Sequence, residues 1–212
     1  MNITLIGASG FIGTALLAEA IERGHVVTAL VTRPDNLAAR EGLRALKADV
    51  MDSGALSAQF AGADAVISAF SGHAQADVYD YFVAGMRSIL VAAREARVPR
   101  LLVVGGAGTL EVAPGLQLID TPAFPDAYKA TAEGARTALA MLREQVSLNW
   151  TMLSPSALIA PGERTGAFRL GREQLLTGPD GASRISVQDF AVAMIDELEH
   201  PAHERQRFTV GY

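Results

Sequence analysis

Three glycines at a regular interval carry the first chemistry in this chain. They stand in Gly7-Ala8-Ser9-Gly10-Phe11-Ile12-Gly13, between the apolar run Ile3 to Ile6 and a helical pattern that reaches Arg23. The spacing is Gly-x-x-Gly-x-x-Gly; position 8 is alanine, where the more widespread Gly-x-Gly-x-x-Gly turn has its second glycine. At a strand–turn–helix junction each glycine has a task. Gly7 permits the tight turn off the strand, Gly10 lets the backbone approach a pyrophosphate, and Gly13 lets the helix pack close to the strand. The free N–H groups of the first helical turn and the positive end of its dipole then face the diphosphate. Ser9, Phe11 and Ile12 share this loop and join the glycines as expected cofactor contacts.

The end of the next apolar run, Val26 to Val31, bears on which dinucleotide binds. A carboxylate there would bond the ribose 2′-hydroxyl, whereas an arginine accommodates a 2′-phosphate. The chain reads Leu30-Val31-Thr32-Arg33, with no carboxylate until Asp35, beyond Pro34. Arg33, with Ser9 as a helper, therefore favours NADP(H) over NAD(H); the alternative for Arg33 is a solvated surface residue. Of the four histidines, His73 alone follows a strand-like run, in Ser71-Gly72-His73. It is a candidate hydrogen-bond donor to substrate or cofactor, or else a loop surface residue. No two histidines or carboxylates have metal-ligand spacing. The absence of cysteine excludes disulfides, zinc-thiolate sites and cysteine nucleophiles.

The elements that position these residues alternate between strand and helix. Strand-like runs cover Ile3 to Ile6, Val26 to Val31, Leu43 to Ala48, Asp64 to Phe70, Leu101 to Val104 and Asn149 to Leu153. Helical patterns run from the glycine loop to Arg23, Ser53 to Phe60, Val78 to Ala96 and Asp126 to Gln145. Strands that are apolar throughout, alternating with helices, indicate parallel pairing with both faces covered: a doubly wound α/β Rossmann fold. Beyond Ser154 the pattern becomes irregular. Ser186-x-x-Asp189 then reads as a capping box opening a helix to about Glu199, and Arg207 to Tyr212 as a last strand. The expected organisation is one NAD(P)-binding domain over residues 1–212, with 154–206 supplying substrate-side loops and a helix.

Composition agrees. The 212 residues correspond to about 1.4 average domains. Half are hydrophobic and 19% charged, which excludes a disordered chain. A net charge of −5 offers no basic footprint for nucleic acid or anionic membrane. No stretch has the length of a transmembrane helix, and Met1-Asn2 leads straight into the first strand without a signal peptide. A cytoplasmic protein, monomer or homodimer, acting on a small molecule is the expectation.

Several stretches together resemble the atypical short-chain dehydrogenases/reductases, specifically the small NAD(P)H-binding proteins grouped as NADH-flavin reductases and related to NmrA-like proteins and flavin/biliverdin reductase. The marks are Gly7-x-x-Gly10-x-x-Gly13, Ala48-Asp49-Val50-Met51-Asp52, Val103-Val104-Gly105-Gly106-Ala107-Gly108, Trp150-Thr151-x-x-Ser154-Pro155, Pro161-Gly162-Glu163-Arg164-Thr165-Gly166 and Arg207-Phe208-Thr209-Val210-Gly211-Tyr212. The resemblance implies that Asp49 and Val50 lie against the adenine. It implies that Ser68, Ala69 and Phe70 pass along the adenosine ribose and nicotinamide side. Gly105 and Gly106 would floor the nicotinamide pocket, and Ser154-Pro155 would close over it. From the residues alone, Asp49 is equally a loop or helix-capping carboxylate.

Members of the wider group that reduce carbonyls use a tyrosine acid, a lysine four residues on, and a serine or threonine after the fifth strand. Here Tyr128 stands in place, but residue 132 is alanine and the lysine is Lys129. Neighbours at i and i+1 on a helix do not face each other. The serine position is Gly105 or Gly106, and Thr109 is the nearest hydroxyl. Tyr128, Thr109 and His73 are thus the candidate catalytic groups. A flavin (FMN, FAD or riboflavin) takes up hydride without forming an alkoxide, so it needs no strong protein acid. Orientation of two rings is then most of the catalysis. The expected activity is hydride transfer from NADPH to a flavin or similar conjugated acceptor. The alternatives are a non-catalytic NmrA-like redox sensor and a carbonyl reductase with unusual acids.

Overall fold

In chain order the elements are β1 (Asn2–Ile6), α1 (Phe11–Glu22), β2 (Val26–Val31), β3 (Leu43–Lys47), α2 (Ser53–Phe60), β4 (Ala65–Ser68), α3 (Val78–Glu95) and β5 (Leu101–Val104). They continue with β6 (Glu111–Ala113), β7 (Leu116–Gln117), α4 (Lys129–Arg143), β8 (Trp150–Ser154), β9 (Leu158–Ala160), β10 (Arg169–Gly171), β11 (Arg184–Ser186), α5 (Val187–Glu199) and β12 (Gln206–Gly211). This computed structural model describes residues 1–73 and 75–212.

Eight strands form the main sheet in the order β10-β12-β8-β5-β4-β1-β2-β3. All its pairings are parallel except β10 against β12. Order reverses between β1 and β4, where chain direction turns from one half of the sheet to the other, and ligands of doubly wound folds bind at that switch point. The short strands β9 and β11 pair in parallel, and β6 and β7 make a separate antiparallel pair.

Because β1, β4 and β5 are buried at nearly every position, both faces of the sheet take helices. One core layer packs Leu16, Leu17 and Ala20 of α1 and Phe190, Met194 and Leu198 of α5 onto the sheet. The other packs Phe60, Phe82, Met86, Ile89 and Leu139 against Val66, Leu101, Trp150 and Met152. At about 25 cal/mol per Å² of apolar surface removed from water, these two layers are the main source of stability. Helix starts are locally encoded. The Asp52 carboxylate accepts from Ala55 N at 2.9 Å, Asp77 from Asp80 N at 3.1 Å, and Ser186 Oγ from Asp189 N at 2.9 Å.

Two of the boundary shifts bear on the site. The fourth strand ends at Ser68, so Ala69 and Phe70 begin the loop that follows. Helix α4 begins at Lys129, because Asp126–Tyr128 winds as a separate 3₁₀ turn after Pro125. No described helix is long and apolar enough to cross a membrane.

Candidate functional site

The glycine loop takes the form that its residue types require. Gly7 has φ of +77°, a left-handed conformation that favours glycine, and its N–H donates to Leu30 O at 3.0 Å. A Cβ on Gly7 would stand 2.6 Å from Ala69 O, so the loop presses on the end of β4. Gly10 N donates to Gly7 O at 2.9 Å, closing the turn, and Gly10 becomes the N-cap of α1. A Cβ on Gly13 would lie only 2.0 Å from Gly7 O. No side chain caps α1, and its first turn holds no acidic residue. The N–H groups of Phe11, Ile12 and Gly13 are the orphan donors that begin any α-helix.

Beside this turn opens a slot of about 190 Å³. Its floor is Gly105 and Gly106, its near wall Ile12 and Ala69, and its far wall Phe70 and Phe82. The two phenyl rings stack at 5.7 Å with a 7° interplanar angle. Phe70 is seated by Gly85 of α3, where a Cβ would fall 2.4 Å from the ring. Gly105 is equally constrained: a Cβ there would be 2.8 Å from Met152 Cγ and from Ser154 Oγ. Thr131 and Ala135 of α4 complete the lining, and at the mouth Thr131 Oγ1 is 3.4 Å from Nε2 of the exposed His73. Among the described lining residues His73 is the one titratable group.

The expected site residues divide into three groups. Gly10, Phe11, Ile12, Ala69, Phe70, His73, Gly105 and Gly106 come together around the slot, with Gly7, exposed Ser9 and Gly13 in the adjoining turn. Arg33, Asp49 and Val50 lie at the ends of β2 and β3. Arg33 is exposed and forms no ion pair among the described residues. Asp49 Oδ1 accepts from Met51 N at 2.9 Å, which orders its loop, while Asp52 caps α2. Val50 is buried.

The third group departs from expectation. Ser154 and Pro155 do not close over the slot. β8 continues through Ser154, so both are buried, and the serine hydroxyl lies under Gly105 without a described partner. Ser68 is likewise buried within the sheet, between β1 and β5. Tyr128 is 60% exposed in its 3₁₀ turn and does not line the slot. Lys129 pairs instead with Asp126 at 2.7 Å. Thr109 is fully buried, its hydroxyl donating to Gly106 O at 3.1 Å and accepting from Arg207 Nη1 at 2.8 Å. Sequence reasoning had no signal for Thr131, whereas Phe82 lay on the apolar face of α3 and read only as core.

The family model for NAD(P)H-binding proteins matches residues 7–199, which includes the glycine turn, the slot and α5. The chain belongs to this NAD(P)H-binding family. YwnB of Bacillus subtilis is 41% identical over 214 residues, spanning 99% of this chain and 98% of its own. Among solved structures, a candidate epimerase from Bacteroides thetaiotaomicron is 43% identical with a TM-score of 0.94, covering 100% of this chain and 96% of that one. A candidate NADH-flavin reductase from Streptococcus pneumoniae is 34% identical with a TM-score of 0.85, covering 100% and 99%. The protein is thus an NAD(P)H-binding protein with a Rossmann-like α/β fold.

Proposed function

We propose that this NAD(P)H-binding protein is a reductase that uses NADPH to reduce a flavin or a similar conjugated acceptor. The observation that carries the reading is the slot: apolar, glycine-floored and aromatic-walled, opening beside an uncapped helix start. The residues present fit a dinucleotide. The first-turn N–H groups of α1 would hold its diphosphate, and Asp49 and Val50 its adenine. Gly105 and Gly106 would support its nicotinamide, which supplies hydride when bound.

The chain's own contribution is orientation. Gly105 packs so closely on Met152 and Ser154 that it admits no Cβ, which fixes the height of the floor, and Phe70 stacked on Phe82 forms the far wall. Holding two rings in register supplies roughly 7–11 kcal/mol in favourable cases. A carbonyl acceptor would further need a placed acid. Tyr128 and Lys129 stand outside the slot, and this favours a conjugated acceptor over an aldehyde or ketone. His73, at the mouth with Thr131, is the group able to bond the acceptor's polar edge.

The test is NADPH oxidation followed at the nicotinamide absorbance with FMN, FAD and riboflavin, and with NADH in parallel. Saturable flavin-dependent oxidation supports the reductase. Tight NADPH binding without turnover would replace it with a non-catalytic dinucleotide sensor, and absence of binding would overturn both. For the NADP(H) preference, Arg33→Ala is expected to weaken NADPH binding about tenfold or more, the worth of one charge-assisted bond, and to leave NADH binding alone. Equal losses for the two dinucleotides would remove Arg33 from the 2′-phosphate.

A further inference from the structure

We propose that Arg207, acting through Thr109, is a positioning residue that sets the Gly105–Gly106 floor of the slot. The inference rests on the reductase reading above and adds to it a residue from the far end of the chain. Arg207 lies on β12, and its side chain is 1% exposed. Its Nη1 donates to both oxygens of Thr109, to the carbonyl at 3.1 Å and to the hydroxyl at 2.8 Å. The same hydroxyl donates its own hydrogen bond to Gly106 O at 3.1 Å. One guanidinium nitrogen is therefore two hydrogen bonds away from the carbonyl of a floor residue.

The other side of this turn is held by sterics. A Cβ on Gly106 would stand 3.0 Å from Ala135 Cβ, and one on Gly108 would stand 2.7 Å from Ala132 Cβ, so α4 already touches the backbone there. The turn 105–109 is clamped between small residues of α4 and the Arg207 fork. Arg207 is itself fixed by Glu173, which Nη2 contacts, and Glu173 receives Arg143 Nη2 of α4 at 3.2 Å. Burial works against the Glu173 charge, and Arg207 and then Arg143 outweigh it, so the carboxyl titrates below its ordinary range. Floor, α4 and β12 form one hydrogen-bonded unit. A lysine cannot reproduce it, because an ammonium lacks the planar fork that spans two acceptors and a carboxylate.

Position 109 isolates the role without removing a buried charge. Thr109→Val keeps the shape and removes the hydroxyl; Thr109→Ser keeps the hydroxyl. With the best flavin acceptor, Thr109→Val and Arg207→Lys are expected to lower kcat about tenfold, as a displaced reactive group does. The NADPH dissociation constant should stay near wild type, because the diphosphate and adenine contacts are on α1 and at the ends of β2 and β3. Thr109→Ser should restore kcat. A second readout needs no turnover: the fluorescence anisotropy of bound NADPH should fall in Thr109→Val, since the nicotinamide loses its fixed floor. Unchanged kcat and anisotropy in folded Thr109→Val would overturn the proposal. So would equal losses in kcat, binding and Tm across all three variants, the pattern of plain destabilisation. Wild-type protein that binds NADPH without oxidising it would refute the reductase reading while the anisotropy still decides the role of Arg207. Wild-type protein that binds no NADPH would refute both.

Discussion

Gly13→Ala is expected to weaken NADPH binding by about a hundredfold and to lower stability by about 3 kcal/mol. The added methyl group would sit 2.0 Å from Gly7 O, a backbone atom that no rotamer change can move away. Side-chain carbons essentially never approach closer than 3.0 Å, so the start of α1 and the Gly7 turn must part by at least about 1 Å. That separation pulls the Phe11, Ile12 and Gly13 N–H groups out of register with a bound diphosphate. It also strains a helix that carries Leu16 and Leu17 into the core, and Tm should fall by roughly 6–12 °C. Gly10→Ala supplies the contrast. Its Cβ would meet only Gly7 O at 3.3 Å, a displacement of tenths of an ångström, while the added methyl group stands at the turn where the backbone would approach a diphosphate. Gly10→Ala should therefore lose binding with little change in Tm. Titration of NADPH fluorescence and a thermal melt on both variants check this. A Gly13→Ala protein with wild-type affinity would show that the turn does not hold the diphosphate.

The glycine turn was legible because most of its information is local: strand, turn and helix occupy residues 2–22, and Gly10 and Gly13 both answer to Gly7. The alternation of apolar strands and amphipathic helices was legible for the same reason, as was the Ser186 cap of α5. What the sequence did not disclose depends on pairs far apart in the chain. Thr109 read as a candidate acid because it was the nearest hydroxyl after β5; its bond to Arg207, 98 positions on, leaves it buried. Tyr128 fell inside the helical pattern that starts at Asp126, but Asp126–Tyr128 winds as a 3₁₀ turn after the extended Pro125, and the α-helix starts one residue after Tyr128. Ser154 stood as a lid only through the family resemblance, and β12 pairs with β8 as far as Ser154 and holds it in the sheet. The three-residue strands β9, β10 and β11 are too short for any periodicity to reveal. The segment that contains Pro161-Gly162-Glu163-Arg164-Thr165-Gly166 was visible only as a family mark, and its anchoring is entirely tertiary.

That segment is a strap, and Asp189 is its buried anchor. Asp189 is fully buried, with Oδ1 accepting from Thr165 N and Gly166 N, both at 2.8 Å. Its Oδ2 accepts from Thr165 Oγ1 at 2.5 Å and from Tyr212 OH at 2.8 Å. Arg164 then reaches α1, its Nε and Nη2 each 2.7 Å from Glu19, whose carboxylate also takes Arg23 Nε at 2.7 Å. The strap thus ties α5 to the helix that opens at the glycine turn. Asp189→Ala leaves two backbone N–H groups and two hydroxyls facing an apolar methyl group. The expected cost is about 4 kcal/mol, or roughly 10–15 °C in Tm. Asp189→Asn keeps an oxygen for the two backbone donors, and the hydroxyls can turn to accept from its amide, so its loss should be about half as large. Acid separates charge from shape. Burial raises the Asp189 pKa, but the Thr165 hydroxyl, the Gly166 N–H and the Tyr212 hydroxyl together lower it further, below the ordinary carboxylate value. A depressed carboxylate stabilises the fold fully above its unfolded pKa, about 4, and gives up that stabilisation as pH falls through the folded value. Melts from pH 6 to pH 3 should therefore bring the wild-type and Asp189→Asn curves together in acid, with the gap widest near neutrality; parallel curves would mean that the anchor works through shape alone.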